Sequence, residues 1–133
     1  MKKLFYAFVL VLLTLSPSVF AEAVSLEPNE DSNVRYRLYQ TQNMWTFLKL
    51  DTMTGKIWQV QFSIEGPEYR FETPLSLIDI PETLGLEQKI GRYALFPTQN
   101  FYNFIMLDQI DGHTYQVQWS GELANRYILQ ISN

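Results

Sequence analysis

Two stretches of this chain are copies of one another. The segment RYRLYQTQNMWTFLKLDTMTGKIWQVQFS, from Arg35 to Ser63, returns as RYALFPTQNFYNFIMLDQIDGHTYQVQWS, from Arg92 to Ser120. They align without a gap, about half the positions are identical, and about half of the differences exchange one aromatic or aliphatic residue for another. This constrains the fold more tightly than composition does. Each copy must adopt the same local structure and then bury one of its faces against something.

Within each copy the apolar residues alternate with a period of two, and turn residues interrupt at short intervals, so the pattern predicts strands rather than helices. The first unit reads as strands over Arg35–Gln40, Met44–Asp51, Lys56–Ser63 and Tyr69–Thr73, and the second as strands over Arg92–Phe96, Phe101–Asp108, His113–Ser120 and Arg126–Ile131. Thr41-Gln42-Asn43 and its counterpart ending at Asn100 are turns, because asparagine tolerates conformations that other side chains resist. Asp51 to Gly55 and Asp108 to Gly112 are hairpin loops, the aspartate accepting backbone N–H groups and the glycine supplying positive φ. Pro97 can sit only where no ladder donor is needed, at a strand end or an edge. The segment 74–91 has no counterpart; its PETLGLEQ stretch predicts one short helical turn, with Pro81 in the first turn and Gly85 limiting its length.

The expected fold is therefore all-β: two tandem pseudo-twofold four-stranded antiparallel units forming a β-sandwich or closed β-barrel. Closure or dimerisation would remove exposed edges. The expected organisation is a single β domain over 35–133, made of repeat 1 (35–73), a connector (74–91) and repeat 2 (92–133), after a flexible lead over 22–34.

Residues 1–21 read as a secretory signal peptide. Lys2 and Lys3 precede an apolar run from Leu4 to Leu15, followed by Ser16-Pro17-Ser18 and small residues up to Ala21. The run is short of the roughly 20 residues a membrane span needs. Cleavage is expected after Ala21, with Ala23 the second choice, and the mature chain is expected in the periplasm or outside the cell, with no membrane insertion. There is no cysteine, so an exported chain must rely on its hydrophobic core, and thiol redox chemistry and thiolate metal sites are excluded. The formal net charge of −4 comes with no basic cluster, which argues against nucleic-acid binding.

The hairpin register decides which side chains share a face. A three-residue loop with a bulge at Gly55 aligns Leu48 and Leu50 with Trp58, Val60 and Phe62, and gives each unit a clean apolar face, so this register is preferred. The opposite face then carries Trp45, Phe47, Gln59 and Gln61, and in the second unit Tyr102, Phe104, Gln116 and Gln118. These eight are the candidate ligand-binding residues. Aromatic rings stack on sugar faces and amides hydrogen-bond hydroxyls. The same face would also serve as the junction between the halves or as a dimer contact. A four-residue loop exchanges the sets by one and places all the aromatics together.

Other residues carry weaker signals. His113 stands alone in a turn. Asp51 and Asp108 belong to turn geometry, and Asp108 with Asp111 supplies too few oxygens for a calcium loop. Arg35, Arg92, Arg70 and Arg126 recur near strand starts, where edge charges discourage sheet-to-sheet association; a shared anion site is the alternative. No catalytic set, metal-ligand spacing or phosphate loop is present, and no cofactor is expected.

The LDxxTGxxW-type hairpin resembles the outer hairpin of propeller blades, although two units alone cannot close such a ring. The fuller pattern, RY-x-L-x-x-TQN-x-x-x-F-x-x-LD-x-x-x-G-x-x-x-QVQ-x-S, resembles tandem repeats of exported bacterial proteins, and that resemblance implies no activity. The functional expectation is an exported, non-enzymatic binding module with a glycan or protein partner, or a homodimer. The alternatives are a small periplasmic enzyme inhibitor acting through the 74–91 connector, and a structural or assembly subunit.

Overall fold

A computed structural model describes residues 33–132, so the signal peptide and most of the lead lie outside the described residues. The fold is all-β, with two antiparallel four-stranded sheets. The first is a meander of β1 (Tyr36–Gln40), β2 (Thr46–Asp51), β3 (Ile57–Gln61) and β4 (Phe71–Ser76). The second repeats it with β5 (Tyr93–Pro97), β6 (Asn103–Asp108), β7 (Thr114–Gln118) and β8 (Tyr127–Gln130). No described strand of one sheet pairs with a strand of the other, so the described strands do not close a barrel. All eight expected strands are present, and Pro97 closes the edge strand β5. Two 3-10 turns, Pro67–Tyr69 and Leu123–Asn125, precede the fourth strands and were not legible in the pattern.

The hairpins adopt the four-residue loop, which corrects the preferred register. The Asp51 N–H donates to Lys56 O at 2.9 Å, leaving Thr52 to Gly55 as the loop, and Gly55 takes φ +79°. Phe47 therefore faces Val60, Lys49 faces Trp58, and Leu48 faces Gln59 across the ladder. The rings of Phe47, Trp58 and Phe62 share one face, and Leu48, Leu50, Ile57 and Gln59 share the other. The second unit has the same register, with Phe104 opposite Val117 and Ile105 opposite Gln116.

The two sheets bury opposite faces of this common pleat. In the first, Tyr39, Leu48, Leu50 and Ile57 point inward, while Tyr36, Leu38 and Phe62 on the other face remain exposed. In the second, the inward residues are Tyr93, Leu95, Phe104, Met106, Tyr115, Val117 and Trp119, the counterparts of the first sheet's outward set. Leu38 and Leu95 occupy the same position of the repeat, yet they are 54% and 3% exposed. A twofold relation would bury the same face of both sheets, so the pseudo-twofold expectation is overturned. The halves stack front to back, and the core lies between them.

The connector sets this stacking. Asp79 caps the short helix α1 (Ile80–Leu84) by accepting the Glu82 N–H at 3.0 Å, and Gly85 ends it at φ +68°. Ile80 and Pro81 are buried, and the Ile80 N–H donates to Thr54 O at 3.0 Å. The chain then enters the second sheet through buried Thr52, whose carbonyl accepts the Tyr93 N–H at 2.9 Å and whose hydroxyl accepts the Gly91 N–H at 3.0 Å.

Candidate binding faces

Because both units share a register that separates rings from amides, the eight candidate residues do not form one site. Trp45 and Phe47 lie on the outward face of the first sheet, with Phe62 between them at ring-centroid distances of 5.2 and 6.1 Å. Trp58 joins them on that face, and the Lys49 ammonium stacks over it at 4.8 Å while pairing with Glu72. The counterparts Tyr102 and Phe104 belong to the inward face of the second sheet. Phe104 is in the core, and Tyr102 is half-exposed at its rim, 5.1 Å from Trp119.

The amides divide the other way. Gln59 is buried at the junction, where it acts as a clamp on one backbone unit. Its Nε2 donates to Ser120 O at 2.9 Å, and its Oε1 accepts the Ser120 N–H at 3.0 Å. Gln61 donates to Tyr69 O at 3.4 Å and so braces its own sheet. Gln116 and Gln118 lie on the outward face of the second sheet. Gln116 donates to Asn103 Oδ1 at 2.7 Å and to the Tyr127 hydroxyl at 3.1 Å, and that hydroxyl donates to Gln118 Oε1 at 2.9 Å.

The recurring arginines are not edge charges, which corrects that expectation for three of the four. Arg92 is buried and donates through Nη2 to Asp108 at 2.8 Å and Asp111 at 2.7 Å, and through Nη1 to Glu87 O at 2.8 Å. Arg35 makes the same pair with Asp51 at 3.0 Å, more open to solvent. Arg126 joins the sheets through Ser120 O at 2.8 Å and Thr73 Oγ1 at 3.0 Å. Arg70 remains an exposed surface residue. Burial pushes the Asp51 and Asp108 carboxyls up, but the arginines and the turn N–H groups more than offset it. Both are held below the ordinary carboxylate range. Such a carboxylate, already satisfied, anchors a hairpin and makes a poor proton acceptor. Sequence reasoning missed the pairing, although an arginine at each first-strand start beside an aspartate at each second-strand end was visible. Ser120 and Arg126 at the junction carried no such signal.

Two further features border the sheets. An open groove of about 690 Å³ runs between the edge strands β1 and β5 and the turns at their ends, bridged where Gln42 Nε2 donates to Gln99 O at 3.5 Å. The connector is fastened at Ile80 and again where Arg92 holds Glu87 O. His113 is half-buried with Nδ1 beside Gln130 at 3.4 Å. Among the described residues no group of three His, Cys, Asp or Glu side chains could hold a metal ion. No described helix is long and apolar enough to cross a membrane. The chain matches no family model, no curated protein and no solved structure.

Proposed function

We infer that this is an exported, non-enzymatic binding module of sandwich-like build, whose working surfaces are the two outward sheet faces and whose ligand is a protein. The observation that carries this is the chemistry of the second sheet's outward face. Phe96, Ile105, Leu107 and Leu129 surround the glutamines there, and no acidic or basic side chain lies among them. A sheet face kept in water ordinarily alternates toward charged residues, whereas an uncharged apolar face suits a partner that covers it. Glycan binding is less well supported, because in each sheet the candidate amides lie on the opposite face from the candidate rings and are occupied by local partners. The rings themselves pack tilted on one another instead of lying flat as platforms.

The test is capture from periplasmic extract beside a glycan array, using the wild type, Trp58→Ser on the first outward face and Leu107→Ser on the second. The reading expects one defined protein, retained by the wild type and lost with either variant, and a blank array. Array binding that both variants retain, without a protein partner, would refute it.

A further inference from the structure

We propose that the partner is a second copy of this chain, docked front to back, so that the outward face of the second sheet seats on the outward face of the first sheet of the next molecule. The proposal rests on the reading of the outward faces as binding surfaces, and it names their occupant.

The internal junction supplies the template. It joins the inward face of sheet one to the inward face of sheet two. By the repeat, the outward face of sheet two is another copy of the former, and the outward face of sheet one is another copy of the latter. Each molecule therefore carries both halves of a junction it has already built once, on opposite sides of itself. A heterologous contact of this kind continues from copy to copy, closing into a ring where the rotation allows and running on as a filament where it does not. Four-stranded meanders packed face to face are the units from which closed rings of about four to eight sheets are made.

The residue pairs can be followed across the new contact. At the internal junction the Tyr39 hydroxyl reaches the backbone of Leu95, and both residues are buried. Their counterparts, Phe96 and Leu38, are 47% and 54% exposed, on opposite outward faces. Gln59 clamps the N–H and carbonyl of Ser120. Its counterpart Gln116 stands on the outward face of sheet two, and the counterpart of Ser120 is Ser63, whose backbone N–H and carbonyl make no hydrogen bond among the described residues. Seating the clamp requires Gln116 to release Asn103 or Tyr127. The serine recurs because its hydroxyl accepts the Glu65 N–H at 3.0 Å in one unit and the Glu122 N–H at 3.1 Å in the other, whereas the repetition of the glutamine follows from one clamp used twice.

Several positions depart from the template: Phe96 lacks the hydroxyl that Tyr39 brings to Leu95, Thr114 stands where Ile57 stands, and one pair brings charge. Lys49 stands where Met106 stands in the buried face, with Glu72 beside it in place of Ile128. The pair neutralises itself but costs desolvation when covered, so the contact between copies is weaker than the internal one. A strand of five residues and a sheet of four strands give a face of roughly 17 by 19 Å, about 320 Å² on each side, below the size of a stable contact and in keeping with a weak, transient one. A single contact is therefore expected to be weak and to show only toward the top of the accessible concentration range.

The experiment uses the mature chain, light scattering and analytical ultracentrifugation up to the highest soluble concentration, and three variants. Leu38→Asp disables only the first outward face, Phe96→Asp only the second, and far-UV circular dichroism checks that both are folded. The wild type is expected to exceed the monomer mass as concentration rises. Each aspartate variant alone is expected to stay monomeric, weakened about tenfold or more. The two mixed are expected to form a one-to-one complex that grows no further, because one intact contact remains. The double variant Lys49→Met with Glu72→Ile is expected to associate about tenfold more tightly, because both positions then match the buried face and no unpaired charge is covered. A wild type and a Lys49→Met, Glu72→Ile double variant that are both monomeric at every concentration would overturn the proposal, leaving the binding-module reading intact if the periplasmic capture still finds a different protein. Self-association that survives in either aspartate variant alone would mean like face on like face, and would overturn it too.

Discussion

Replacing Arg92 by methionine should be among the most damaging single changes in the second sheet, and it should invert Asp108's contribution to the pH dependence of stability. Arg92 and Asp108 are 2% and 0% exposed at the side chain. The guanidinium supplies Asp108 with two hydrogen bonds to Oδ2, at 2.8 and 3.2 Å, and also holds Asp111 and the Glu87 carbonyl. Methionine fills much of the volume but leaves the Asp108 carboxylate buried with only the Ile110 and Asp111 N–H groups, at 3.0 and 3.2 Å. Breaking a buried pair from one side costs about 3–5 kcal/mol. That is a large share of the roughly 5–15 kcal/mol by which a domain is stable. In the wild type the Asp108 carboxyl is held below its unfolded value near 3.9, so its contribution is present above that pH and is lost as pH falls through the folded value. In the variant, burial without the arginine raises the carboxyl above its unfolded value, so the folded state binds the extra proton and stability declines as pH rises. Urea unfolding followed by tryptophan fluorescence, between about pH 4 and 7.5, reads both effects. The gap between wild type and variant should widen with pH. A loss under about 1 kcal/mol, or a gap that does not change with pH, would refute the reasoning.

Three further outcomes follow from single contacts. Gly55 and Gly112 share φ +79°, but a Cβ on Gly55 would lie 2.8 Å from Ile80 Cδ1 while one on Gly112 would meet open space. Gly112→Ala should cost about 1–2 kcal/mol from the left-handed backbone alone, and Gly55→Ala measurably more, in the same urea experiment. Gln59→Leu removes the clamp and leaves the partly buried Ser120 N–H without its partner, which should cost about 1 kcal/mol and speed amide exchange at Ser120. Tyr115→Phe should be neutral or stabilising by thermal melting, because the buried Tyr115 hydroxyl has no hydrogen-bond partner to lose.

The strands and hairpins were legible because alternation and the Asp-to-Gly loops are local signals, and the helical turn at Ile80 was legible from Pro81 and Gly85. The register was not. A three- and a four-residue loop each leave an alternating strand on both sides, and both faces of this sheet carry apolar residues, so pattern could not arbitrate. The stacking was hidden for a stronger reason. Leu38 and Leu95 are the same residue at the same place in the repeat, and only long-range contacts such as Gln59 with Ser120 decide that one is outside and the other inside. The trace that did exist lies where the copies differ. Lys49 and Glu72 face water where Met106 and Ile128 face the core, and Ile57 faces the core where Thr114 faces out. Comparing the two units position by position for charge, instead of for identity, would have separated the faces. The eight candidate residues are divided for the same cause, since the rings of the second strand and the amides of the third share a face in the preferred register and lie on opposite faces in the true one.

The central claim is that two copies of one sheet bury opposite faces, and cysteine accessibility tests it most directly because the natural chain has no cysteine. Single cysteines at Leu38, Leu95, Tyr39 and Phe96 would be alkylated under native conditions, dilute enough that the chain is monomeric. Leu38→Cys and Phe96→Cys should react at rates close to a free thiol, and Leu95→Cys and Tyr39→Cys only through unfolding. Equal rates at Leu38 and Leu95, or at Tyr39 and Phe96, would contradict the account, because repeat-equivalent positions behave alike only if both sheets bury the same face.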